Sequence, residues 1–200
     1  IYTTPSAPGA ATASCASGQT TMTRPTPPSG YTYYWQSSST GTSTSNSSST
    51  MVFTTNGTYY LRSRHNVSGL WSSAKSGSVT IYTTPSAPGA ATASYASGQT
   101  TMTRPTPPSG HTYYWQSSST GTSTSNSSTT MVFTSNGNYY LRSRHNVSGL
   151  WSSAKSGSVT IYTTPSAPGA ATASYASGQT TMTRPTPPSG YTYYWQSSST

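Results

Sequence analysis

The chain repeats itself. Residues 1–80 recur at 81–160 with exchanges only at Cys15/Tyr95, Tyr31/His111, Ser49/Thr129, Thr55/Ser135 and Thr58/Asn138, and the same run begins again at 161–200. A fixed period of this length means one supersecondary unit used in tandem, so each copy must solve the same folding problem with the same residues. It also sets the expectation for function. An array supplies length, spacing and many weak contacts rather than a single reactive centre. Ile1–Thr4 reads as the end of a preceding copy, because Ile81–Thr84 holds that place before Pro85. The expected frames are therefore 5–84, 85–164 and an incomplete 165–200, cut as a window from a longer array. The window contains no apolar run of the ~20 residues a membrane helix needs, and no secretory leader pattern.

The chain has no Asp and no Glu; it is 4% charged, all of it basic, at a formal +9. Without carboxylates there is no side-chain ligand set for calcium, no paired-acid glycosidase chemistry and no Ser-His-Asp triad. The cations have no side-chain ion-pair partner in the chain and must turn to water, carbonyls, aromatic faces or an outside anion. The expectation is a chain that is not an enzyme and carries no cofactor and no metal. A single Cys15, replaced by Tyr95 and Tyr175, rules out a disulfide within the chain and any cysteine-built metal site. His65 and His145 have no Cys, Asp or Glu nearby in sequence and are poor metal candidates. The positive charge is spread evenly, as Arg24, Arg62, Arg64 and Lys75 in the first full unit, with no dense basic face and no reader motif, which argues against specific nucleic-acid binding.

Ser, Thr, Gly and Pro dominate the composition, yet the 17 Tyr and 5 Trp recur at fixed places inside alternating runs. Alternation of this kind is the mark of half-buried strands rather than disorder. About 80 residues suits one small β-sandwich. Expected strands are Gln19–Arg24 with Met22 inward, Tyr31–Gln36 with Tyr33 and Trp35 inward, Thr50–Thr55 with Met51 and Phe53, Thr58–Arg64 with Tyr59 and Leu61 inward, and Ser78–Tyr82 with Val79 and Ile81 inward. Ser39–Ser48 reads as a loop or weak edge, Asn56-Gly57 as a tight turn, and Thr-Thr-Pro-Ser-Ala-Pro as a stiff joint between units. The predicted core, centred on Met22, Trp35, Phe53, Tyr59 and Leu61, is thin, and the half unit 165–200 is expected not to fold alone.

Met22, Trp35 and Tyr59-Tyr60-Leu61 together resemble the Cys…Trp…Tyr-x-Cys framework of immunoglobulin domains, with Met and Leu in place of the disulfide. That resemblance implies that Tyr59 acts as a tyrosine corner. The run Tyr59–Gly69, followed by Trp71-Ser72-Ser73 and Val79-Thr80-Ile81, resembles the end of a fibronectin type III module. Over its whole length the chain resembles the Ig-like repeats of very large Bacteroidota surface proteins, such as gliding-motility adhesins and other cargo of the type IX secretion route. Such repeats often carry a cysteine near Cys15 and another near Leu70; here the second is absent. The resemblance implies an all-β array of tandem Ig-like, fibronectin III-like sandwiches, secreted to the bacterial cell surface.

If Tyr59 and Leu61 face inward, Tyr60, Arg62 and Arg64 face outward, beside Tyr34 and Gln36. Their copies are Tyr114, Gln116, Tyr140, Arg142 and Arg144, with Tyr194 and Gln196 in the third unit. This aromatic and arginine stripe reads in three ways: cross-strand pairing that stabilises an exposed sheet, a surface for acidic polysaccharide, or lateral packing on a sister chain. Trp71 and Trp151 are expected to cover one end of their own core, or else to pack at the joint between units or touch a partner. The function expected is structural and adhesive, an extended filament or stalk with multivalent contacts. The alternatives are a self-assembling fibre or sheath and a carbohydrate-binding module.

Overall fold

A computed structural model describes residues 1–198 and shows an all-β chain of fourteen strands. The first copy contributes β1 (Thr12–Ala16), β2 (Gln19–Thr23), β3 (Tyr31–Gln36), β4 (Thr50–Phe53), β5 (Gly57–His65) and β6 (Lys75–Val79). The second contributes β7 (Thr92–Ala96), β8 (Gln99–Thr103), β9 (His111–Gln116), β10 (Thr130–Phe133), β11 (Gly137–His145) and β12 (Lys155–Val159). The hairpin β13 (Thr172–Ala176) and β14 (Gln179–Thr183) follows.

Within a copy the strands form two three-stranded antiparallel sheets, β1-β2-β4 and β3-β5-β6, repeated as β7-β8-β10 and β9-β11-β12. This is the A-B-E and C-F-G division of immunoglobulin-type sandwiches. The core lies between the sheets. Met22, Tyr33, Trp35, Tyr59, Leu61 and Val79 are buried, and Met51, Phe53 and Ile81 pack on them half-buried. Trp35 meets Tyr59 edge to face, with ring centroids 5.8 Å apart.

Three sequence expectations change. The strand β1, with its small and polar residues, gives no apolar alternation and escaped the reading; it pairs with β2 across Ser17-Gly18, where Gly18 takes φ 77°. Asn56-Gly57 is not a hairpin turn. Gly57 has no positive φ, and the segment carries the chain from one sheet to the other, while Asn56 Oδ1 accepts the Ile81 N–H at 2.7 Å. The last strand is Lys75–Val79 rather than Ser78–Tyr82, because Gly77 must lie opposite Tyr59. The proline-rich segment packs on the sandwich: Pro5 and Pro8 are buried in the first copy.

Residues 37–49 form no strand. Three polar side chains hold this loop by its backbone, which explains why its Ser/Thr sequence gave no sign of order. Gln36 donates to the Ser43 carbonyl at 2.7 Å and accepts the Ser43 N–H at 3.0 Å. Arg24 donates to the carbonyls of Ser48 and Ser47. The Trp35 indole also donates to Ser48 O, at 3.0 Å. Gln36 is therefore buried beneath the loop and is not part of an outward stripe.

In the third copy only β13 pairs with β14, and residues 191–196 form no strand. Met182 and Trp195 are 50% and 62% exposed, where Met22 and Trp35 are each 3%. The 200 residues do not include counterparts of β4–β6 for this copy.

Candidate functional site

The outer face of the β3-β5-β6 sheet is built around Trp71. It joins β5 through a bridge to Arg64, and its ring meets two guanidinium groups, 5.5 Å from Arg62 and 5.9 Å from Arg64. Tyr34 adds a tilted ring contact at 5.4 Å. Cation–π contacts contribute ~0.5–1 kcal/mol each at exposed sites and more when desolvated. The same set recurs at Trp151 with Arg142, Arg144 and Tyr114. Trp71 therefore covers neither the end of the core nor the joint; it is a rung on the sheet's outer surface.

The two arginines differ. Arg62 donates from Nε to the Ser72 carbonyl at 2.8 Å and from Nη1 to the Gly41 carbonyl at 2.7 Å. It is a staple between three segments, and its truncation would disturb the sheet itself. Arg142 repeats both bonds. Arg64 has the ring contact alone, and so has Arg144. Tyr60 and Tyr140 are half-buried on the same face, opposite Gln36 and Gln116. Tyr194 lies 76% exposed outside any strand. Behind the rung, buried Ser72 accepts the Ser63 N–H through Oγ at 2.9 Å and donates to Ser73 O.

Tyr59 departs from the tyrosine-corner expectation. Its hydroxyl accepts the N–H of Ala11 at 3.1 Å, 48 residues upstream, ahead of β1 on the facing sheet. It ties the two sheets together rather than closing a local corner.

A second assembly of aromatic groups lies where the copies meet. Tyr82 O accepts the Gly18 N–H at 2.8 Å, and Ser17 Oγ accepts the Thr84 N–H at 3.0 Å, so the first copy's hairpin grips the connecting segment. The Tyr82 ring then packs on His145 of the second copy at 4.9 Å and 47°. Tyr2 meets His65 at the same distance and angle. His65 is held by the Ser68 N–H donating to its Nδ1 at 3.0 Å, which in the neutral ring leaves the proton on Nε2. A cavity of about 430 Å3 lies at this joint, lined by Tyr82, Pro85, Pro108, His111, Tyr113 and His145 among others. The sequence marks a stiff joint here but not these contacts, because the partners are far apart in the chain. Among the described residues no group of three His, Cys, Asp or Glu is placed to hold a metal.

The sheet order defines the class, an Ig-like and fibronectin III-like β-sandwich in tandem. No family model matches the chain, and no curated protein matches it. Solved structures with some likeness include the alpha chain of the chicken interferon gamma receptor, at 10% identity and TM-score 0.34 over 80% of this chain and 100% of that one. Another is a two-domain fibronectin type III segment of chicken tenascin, at 15% identity and TM-score 0.30 over 77% of this chain and 99% of that one. The fold assignment rests on the chain's own strand order rather than on these likenesses.

Proposed function

We propose that this chain is part of the structural and adhesive repeat region of a large secreted bacterial surface protein, with frames 5–84 and 85–164 as beads of an extended, non-enzymatic array. One observation carries the reading. The joint is a built contact, gripped by the hairpin of one copy and docked through Tyr82 on His145 of the next. A contact of that kind limits bending, so that length grows with copy number and weak contacts along the array add as avidity. Placement at the cell surface belongs to this proposal. Among the described residues no helix is long and apolar enough to cross a membrane.

Small-angle scattering on chains of two, four and six complete copies tests it. The maximum dimension should rise in proportion to copy number, and Tyr82→Ala with Tyr162→Ala should shorten it. Growth as roughly the square root of length, the behaviour of a flexible coil, would refute the stiff array.

Lateral assembly into a fibre has its own supporting observation. Strand β1 is a sheet edge, carries no charge and is largely exposed, and edges of this kind are poorly protected against pairing with another chain. Light scattering over a range of protein concentrations separates the two: a mass that stays monomeric excludes the fibre.

A further inference from the structure

We infer that the guanidinium of Arg64, and of Arg144 in the next copy, is a binding site for the anionic groups of an acidic polysaccharide, presented once per repeat beside Trp71 and Trp151. The inference deepens the adhesive reading and rests on it. The cations differ in what they already hold. Arg24 has three carbonyl partners, Ser48, Pro25 and Ser47, and Arg62 has two. Both are committed to their own fold.

Arg64 is half-buried, and among the described residues no oxygen accepts from it. Two neighbours place its guanidinium beside the indole. The Trp71 ring lies 5.9 Å from its Cζ, and Gly69 leaves room for Nη2, since a Cβ at that glycine would stand 3.0 Å away. Gly149 repeats this at 3.1 Å from Arg144. Gly69 sits at φ +72°, a conformation glycine adopts without strain. A guanidinium carries five donors in a rigid fork that matches a carboxylate or sulfate through two parallel bonds. Here the fork is pre-oriented, its donors are free, and the chain has no carboxylate of its own to offer. Arg62, 5.5 Å from the same indole, adds a second positive charge nearby. Tyr34 extends the aromatic surface beside the fork.

A polymer fits better than a small anion. A single exposed pair of this kind binds weakly, but a polyanion meets the same site at every repeat, and linked weak contacts multiply.

The test uses the 200-residue chain on surfaces bearing polygalacturonate (carboxylate), dextran sulfate (sulfate), neutral dextran or oligo-dT, read by interferometry at low and moderate salt. The expected result is binding to one or both acidic polysaccharides and none to neutral dextran, weakened about tenfold or more by Arg64→Gln with Arg144→Gln. Lys75→Gln with Lys155→Gln removes the same charge elsewhere and should change binding less than about threefold. Arg64→Lys with Arg144→Lys keeps the charge without the fork, should fall between, and decides the matter if the Gln variant fails to unfold at the parent temperature. Equal losses from the arginine and lysine pairs would reduce the effect to bulk charge and overturn the site. Preferred binding to oligo-dT would overturn the polysaccharide. Failure of the parent chain to bind any of the polymers would remove the site while leaving the scattering dimensions, and so the stiff array, standing.

Discussion

Gly77→Ala is the most telling substitution available in the sandwich. Gly77 lies opposite Tyr59, and a Cβ there would stand 2.7 Å from Tyr59 Cε1, 3.1 Å from Cζ and 3.0 Å from the hydroxyl. Ordinary carbon contacts fall near ~3.5–4.0 Å, so the ring or the strand must move by the better part of an ångström. The ring has little freedom, because its hydroxyl holds the Ala11 N–H and its face meets the edge-to-face contact with Trp35. Overpacking of this kind costs ~1–3 kcal/mol, and a broken Ala11 bond adds ~1 kcal/mol. Replacing a strand glycine returns ~0.5–1 kcal/mol. The net is a loss of about 2 kcal/mol, or ~8–16 °C for a domain of this size. The second copy, with Gly157 unchanged, serves as the internal standard. Calorimetry of Gly77→Ala should show two transitions, one of them moved down by that amount. Gly57→Ala is the matched control: no atom lies within 4 Å of its Cβ position and its φ is not positive, so it should be neutral or slightly stabilising. A single unmoved transition for Gly77→Ala, or equal effects at both glycines, would refute the packing argument.

Ser72→Ala should be costly for so small a change, about 1–3 kcal/mol, because it strands the buried Ser63 N–H; thermal unfolding of the chain measures it. Gln36→Ala should release the loop at Ser43, raising hydrogen exchange at the Ser43 and Ser45 amides while the core strands stay protected. Cys15→Tyr should let the first copy form the ring pair that Tyr95 and Tyr162 make at 5.0 Å, raising its unfolding temperature by the few degrees that ~0.5 kcal/mol represents.

What the sequence revealed and what it hid divide along physical lines. Strands with large apolar residues at alternate places were legible, Tyr31–Gln36 to the residue and Gln19–Thr23, Thr50–Phe53 and Gly57–His65 to within one or two residues at their ends, because alternation reports burial directly. Strand β1 and the first half of β6 were not. Their residues are small or polar, and what makes them strands is pairing with β2 and β5. The outward placement of Tyr34, Arg62 and Arg64 followed from parity. The division between a committed Arg62 and an unpartnered Arg64 did not, because it depends on carbonyls 10 and 21 residues away. Gln36 illustrates the same limit: parity puts it on the outer face, and the loop that folds over it puts it out of reach.

The absence of carboxylates, met first as an exclusion of chemistries, has a consequence for where this stretch of protein can endure. Acid unfolding of ordinary domains proceeds mostly by protonating carboxylates that are paired or hydrogen-bonded in the native state. The guanidinium staples of this fold are anchored instead to amide carbonyls, which accept those bonds in acid as they do at neutrality. The arginine staples of the sandwich are thus bonds that souring of the medium leaves in place.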